Sequence, residues 1–192
     1  TDIYYDAFRG CRKLTSVTLP NSVTYLGSSV FADCEALTEV TLPKGLTSIE
    51  NATFKECGSL AEIEIPAGVK SIGSSAFEGC ALKEIVLPDG VERISDQAFY
   101  YCDELASVVF PDSISEMGLD VLFSTAYYDN EANWTDGVLF AGCHLISADR
   151  VTGESYVVPK GTRTIAGGAF DLSGSLKKGI AVSYTHLTLP TT

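Results

Sequence analysis

The 192-residue chain is predicted to be a β-rich solenoid. Coils of about 23 residues stack short strands joined by turn or 3₁₀ segments, and one irregular hairpin is inserted. Three observations predict it. Pro20, Pro43, Pro66, Pro88 and Pro111 are spaced 23, 23, 22 and 23 residues apart. Phe8, Phe31, Phe54, Phe77 and Phe99 keep that beat, as do Cys11, Cys34, Cys57, Cys80 and Cys102. Leu14, Leu37, Leu60, Leu82 and Leu105 complete the set, and such fixed-period self-similarity is the signature of a repeat architecture.

Each element of the unit has a physical reason. The unit reads L-x-x-[VI]-x-[LIF]-P-x-x-[VLI]-x-x-[ILM], followed by x-x-x-A-F-x-x-C. In the coil opened by Leu60, Leu60, Ile63 and Ile65 are apolar, while Ala61, Glu62 and Glu64 point elsewhere, as in a short strand. Pro66 ends the alternation because it cannot donate a ladder hydrogen bond, and Pro-x-Gly through Gly68 marks a turn. Val69 and Ile72 follow, then Ala76, Phe77 and Cys80 at near-helical spacing, a stretch too short for a free-standing helix. The single 22-residue interval arises because only Ala81 stands between Cys80 and Leu82, a deletion between elements that a loop absorbs.

A unit carries about six apolar anchors, each worth roughly 1.5–3 kcal/mol when buried. No 23-residue unit can enclose them alone. They close only against the units before and after, so stability comes from nearest-neighbour interfaces.

These residues carry a resemblance. The L-x-x-[VI]-x-[LIF] core is similar to the strand of leucine-rich repeats. The narrower continuation P-x-x-[VLI]-x-x-[ILM]-x-x-x-A-F-x-x-C resembles the BspA-like subclass, also called the Treponema pallidum type. The match covers residues 1–127 and, with partial units, about 154–178. The resemblance implies a bacterial surface or secreted protein with an adhesive or ligand-binding role, and defining residues that are structural and carry no catalysis.

The unit from Leu105 decays: Leu122 replaces the Phe and Thr125 the Cys. A different segment then holds the only Trp, Trp134, and a hairpin from Val138 to Ile146 turning near Gly142. The repeat resumes at Val158-Pro159-Lys160-Gly161, with Ile165, Ala169, Phe170 and Leu176 in place and Ser173 at the Cys position. The expected organisation is one solenoid over residues 1–181: regular coils 1–127, hairpin insert 128–153 and resumed coil 154–181. Relatives of the family carry a similar W/Y…D-G-[VL]-[LVY]-[FY] hairpin, which implies that the insert is an irregular coil. Residues 182–192 resemble the one-frame translation of a sequencing adapter and are expected to be artefact. The chain is accordingly expected to be a fragment of a longer metagenomic gene.

Chemistry is sparse. Lys+Arg is 13 against Asp+Glu 25, a net charge of −12. That argues against nucleic acid and anionic membrane surfaces. No run of about 18 apolar residues exists to insert in a membrane. His144 and His186 are the only histidines. No G-x-S-x-G, G-x-x-x-x-G-K-[ST], H-E-x-x-H or G-x-G-x-x-G occurs. Ser175-Leu176-Lys177-Lys178 matches S-x-x-K by spelling only, and Asn51-Ala52-Thr53 and Asn133-Trp134-Thr135 spell glycosylation acceptors. No catalytic, cofactor-binding or metal-ligating residue is assigned. Five cysteines at one repeat position predict a column of buried free thiols, with a disulfide or metal as the alternatives. No C-x-x-C supports zinc.

The informative surface is the outward side of the strands. The third and fifth positions of each unit form two columns: Ser16, Glu39, Glu62, Glu84, Ser107, and Thr18, Thr41, Glu64, Val86, Val109. The glutamates form a solvated face, a surface for a partner, or a calcium site, the last needing more converging oxygens than one strand face shows. Trp134, with Tyr127, Tyr128 and Phe140, is an aromatic contact or a plug for the irregular coil. His144 has no second ligand at metal spacing. The expectation is a non-catalytic, cell-surface or secreted binding module for an extracellular protein or glycan. The alternative is a structural spacer or stalk.

Overall fold

The computed structural model describes residues 1–170 and 181–183. It is a β-solenoid of about seven turns with almost no helix, as the spacing predicts. One cluster of buried apolar residues runs from Leu19 through the repeats and the insert to Ala169.

Two files of strands run along the stack. The first holds Ser16–Thr18, Glu39–Thr41, Glu84–Val86 and Ser107–Val109. After each proline among the described residues the chain turns, closed by a bond from the residue three on, such as Val69 N to the Pro66 carbonyl at 3.0 Å. A second file then forms, one that the spacing does not predict: Tyr25–Leu26, Ser48–Ile49, Ser71–Ile72, Arg93–Ile94 and Glu116–Met117. The last four make one parallel sheet in register, Ser48 beside Ser71, Ser71 beside Arg93, Arg93 beside Glu116. The second file explains the apolar pair three apart: in the Leu60 coil, Val69 closes the turn and Ile72 ends the strand. Among the described residues, the one 3₁₀ segment is Glu131–Asn133, in the insert.

The third side is a corner of turns around the phenylalanines. Each is flanked by residues with positive φ two positions before and after, as Ala52 (φ 54°) and Glu56 (φ 58°) flank Phe54. This lets alternate amides point to the next coil: Ala52 N, Phe54 N and Glu56 N donate to the carbonyls of Ser74, Ala76 and Glu78 at 2.8, 2.8 and 2.7 Å. The rings of Phe8, Phe31, Phe54, Phe77 and Phe99 stack at 5.3–5.5 Å and within 12° of parallel. At Leu122 the column ends, and Phe110 covers Phe99 from the side at 6.2 Å.

All six cysteines are free, and Cys34, Cys57, Cys80 and Cys102 are buried. Each buried thiol donates to the phenylalanine carbonyl one coil earlier at 3.0–3.1 Å. Burial pushes the Cys57 and Cys102 thiols up to about 12. Thr125 fills the same position but turns its hydroxyl to the Leu122 carbonyl at 2.8 Å.

A short helix, Ala126–Asp129, capped by the Thr125 hydroxyl, leads from the last regular coil into the insert. Val138–Ala141 and His144–Ser147 form the expected hairpin around Gly142 (φ 61°). His144–Ser147 then pairs in parallel with Thr164–Ile165, so the hairpin hands the second file to the resumed coil. His144 is fully buried: its Nε2 donates to the Pro111 carbonyl at 3.1 Å, so Nδ1 accepts from the Thr164 hydroxyl at 2.7 Å. Burial holds its pKa below the ordinary value. Ala181–Ser183 lies parallel to Ser155–Val157. Ser173, Leu176, Ser175–Lys178 and the rest of the adapter-like tail, 184–192, lie outside the described residues.

Candidate binding face

Eight of the ten strand-face candidates stand side by side in pairs, and Glu62 and Glu64 lie between the pairs in sequence. Ser16 stands beside Glu39 and Thr18 beside Thr41, while Glu84 stands beside Ser107 and Val86 beside Val109. Nine are exposed and Ser107 is half-buried, and Val86 and Val109 keep 53% and 49% of their surface open. Beneath them Val17, Val40, Ile63 and Val108 pack on the core.

The five strands do not make a continuous ladder. The first file consists of two two-stranded pieces, and the stretch 62–64 between them belongs to neither. Pairing survives where a glutamate faces serine, Glu39 on Ser16 and Glu84 on Ser107, and fails where glutamate would face glutamate, Glu39–Glu62 and Glu62–Glu84. Like charges directly opposed on adjacent strands repel. The serine hydroxyl instead supplies a donor: Ser107 Oγ donates to Glu84 at 3.0 Å.

Grooves open on both sides of the unpaired stretch. One, of about 720 Å³, is lined by Ala61, Ile63, Glu64, Lys83, Glu84 and Val86. On the other side a groove of about 600 Å³ runs along Thr38, Glu39, Thr41, Glu62 and Glu64. It adjoins a third of about 380 Å³ that reaches Lys44 and Pro66. None of the ion pairs among the described residues uses Glu39, Glu62, Glu64 or Glu84. Lys55–Glu78 at 2.9 Å lies elsewhere on the coils, while Lys83, at the groove edge, is paired outward with Glu104 at 3.9 Å. Among the described residues no group of three or more His, Cys, Asp or Glu is placed to hold a metal ion. The sequence reading missed Lys44 and Lys83 at the groove edges, because neither falls on the outward columns.

Trp134 lies apart from this face, on the insert. Its indole N–H donates to the Tyr128 carbonyl at 2.7 Å, its ring meets the Tyr128 ring edge-on at 5.1 Å, and the Arg150 guanidinium lies 3.9 Å above it. Tyr127 reaches the Phe140 carbonyl at 2.7 Å, and Tyr128 donates to Asp149. Burial and the Asp149 carboxylate hold the Tyr128 hydroxyl above its ordinary range. Of the two acceptor-like sequences, Asn51 already uses its side-chain oxygen to accept from Ser74 N at 2.8 Å, and Thr53 is fully buried.

Comparisons with known proteins agree with this architecture. A leucine-rich repeat protein from Bacteroides ovatus superposes with a TM-score of 0.67 at 27% identity. The match covers 86% of this chain and 49% of that one, so the chain spans about half the length of that relative. The leucine-rich repeat protein of Treponema pallidum gives a TM-score of 0.67 at 26% identity over 95% of this chain and 80% of that one. No curated protein matches the chain. The BspA type leucine rich repeat region matches residues 1–128 in six copies. The chain therefore belongs to the BspA-type leucine-rich repeat family.

Proposed function

We propose that the chain is a non-catalytic binding module, in which residues 1–181 act as one solenoid presenting its strand face to an extracellular protein or glycan. The surface is Ser16, Thr18, Glu39, Thr41, Glu62, Glu64, Glu84, Val86, Ser107 and Val109. The observation that carries this reading is the open pair Val86 and Val109, set beside carboxylates that take part in none of the ion pairs among the described residues. Exposed apolar surface rimmed by polar groups marks interaction sites. A long shallow face suits macromolecular partners better than small substrates. A cell-surface or secreted setting is proposed from the family resemblance. Among the described residues no helix is long and apolar enough to cross a membrane. Trp134, partly exposed beside Arg150, is a second candidate contact on the insert.

The test is a binding screen of the chain against extracellular matrix proteins and glycans, repeated with Glu39, Glu62, Glu64 and Glu84 changed to Gln. Specific binding lost in the variant supports the face. Binding by neither form assigns the chain to the alternative, a spacer.

A further inference from the structure

We infer that the cleft between the last regular coil and the resumed coil binds a neutral sugar residue of a glycan. The cleft lies at the turn corner, shares no residue with the strand face and stands independently of that reading. It has a structural cause. In the regular coils the amide of each phenylalanine donates to the residue before the next phenylalanine, as Phe54 N does to the Ala76 carbonyl and Phe77 N to the Ala98 carbonyl, both at 2.8 Å. Leu122 holds the phenylalanine position of its coil, and Ala169 precedes Phe170 in the resumed one. Here the Ala169 carbonyl receives Ala148 N of the insert at 2.7 Å. The two coils stay tied nearby, by Gly167 N to the Met117 carbonyl at 3.0 Å. Next to that tie a cleft of about 310 Å³ opens, walled by residues 119–123, by 167–169 and by Tyr128, Ser147 and Asp149. Its volume falls in the range of small-ligand sites.

Its walls combine an aromatic face with acceptors. Phe123 is 39% exposed, and its ring continues into Tyr100 at 5.7 Å and Tyr128 at 5.1 Å. Asp120 is exposed and takes part in none of the ion pairs among the described residues. Asp149 accepts from the Tyr128 hydroxyl with one oxygen, while its Oδ1 is buried without a hydrogen-bond partner. An unpaired buried acceptor is costly, and a donor from a ligand relieves that cost. A sugar ring suits both features: its C–H groups lie on an aromatic face, and its hydroxyls donate to carboxylates. Other ligand classes fit less well. Two carboxylates repel an anion. For a cation the chain supplies its own, since the Arg150 guanidinium lies 3.9 Å from the Trp134 ring centre and 5.7 Å from that of Tyr128. That leaves Phe123, a poorer ring for a cation than Trp. An uncharged ligand rich in hydroxyls meets neither obstacle.

The experiment is saturation-transfer difference NMR on the full chain with the methyl glycosides of glucose, galactose, mannose, fucose and N-acetylglucosamine, and with n-butylammonium as the cationic comparison. At least one glycoside should bind saturably, with transfer strongest at its ring C–H protons. Phe123→Ala should weaken that glycoside by about tenfold. Asp120→Asn should weaken it by about three- to tenfold. Asparagine keeps the side-chain shape and tolerates the left-handed backbone of Asp120 (φ 52°), so the melting temperature of this variant should hold. Absence of transfer to every glycoside overturns the inference, and so does tighter binding of n-butylammonium than of any glycoside. A glycoside bound equally by the unmodified chain, Phe123→Ala and Asp120→Asn overturns the placement. None of these failures bears on the strand face, whose test uses other residues.

Discussion

The thiol of Cys57 donates to the carbonyl oxygen of Phe31, one coil earlier, at 3.1 Å. The contact ties two repeat columns together, because the phenylalanine that supplies the carbonyl also stacks on Phe54 at 5.5 Å. Desolvation is the main reason the buried thiols stay protonated. Alkylation by iodoacetamide at pH 8 should therefore label exposed Cys11 first and Cys143 more slowly. Cys34, Cys57, Cys80 and Cys102 should react only in denaturant. Peptide mapping checks this, and rapid native labelling of Cys57 contradicts it.

The same thiols set an alkaline limit. Their folded-state pKa values are raised, to about 12 for Cys57 and Cys102. The unfolded chain ionises first. The contribution is fully present below the ordinary thiol range and is lost as pH climbs from about 9 toward 12. Urea midpoints measured with a reducing agent should be flat from pH 7 to 8.5 and fall between pH 9 and 11. Replacing all four buried cysteines by Ala should flatten that fall, even though the baseline drops. An equal decline in the variant contradicts the assignment.

Close approach leaves little room after several second-file strands, at Gly27, Gly73 and Gly118. A Cβ added at Gly73 would stand 2.6 Å from Asn51 N and 2.7 Å from the Glu50 carbonyl carbon, both backbone atoms of the preceding coil. Gly73→Ala should cost about 1–3 kcal/mol by overpacking. Gly58→Ala meets nothing within 4 Å and should be neutral to within about 0.5 kcal/mol. Chemical denaturation of the two variants checks the contrast.

Much of the fold was legible because the same residue type returns at the same position. The phenylalanine column states a ring stack, the cysteine column a bond to the coil before, and the prolines the turn that ends each strand. The second file was not legible. Its strands, such as Ser48–Ile49 and Arg93–Ile94, are two residues long and have no room for a period-2 pattern. The left-handed positions around each ring were hidden too. Ala52, Glu56, Gln97 and Tyr101 occupy them, held by inter-coil hydrogen bonds in place of the glycine that would announce them. At the candidate face the stacked glutamates were visible in the sequence. Their mutual repulsion was legible with them, but its outcome, loss of pairing at 62–64 on both sides, is seen only in the structure.

The shared interior is tested most directly by a double-mutant cycle on the ring column. Phe54→Ala alone should cost about 3–5 kcal/mol, as for other buried aromatics. Phe31 and Phe54 stack at 5.5 Å, so the pair Phe31→Ala with Phe54→Ala should show a coupling of about 0.5–1.5 kcal/mol. Phe31→Ala with Phe99→Ala, three coils apart, should add to within about 0.5 kcal/mol. Strong coupling between neighbours and none at a distance is the result that stacked coils require. A Phe54→Ala cost under about 1 kcal/mol, or equal coupling in both pairs, contradicts a core built from nearest-neighbour interfaces.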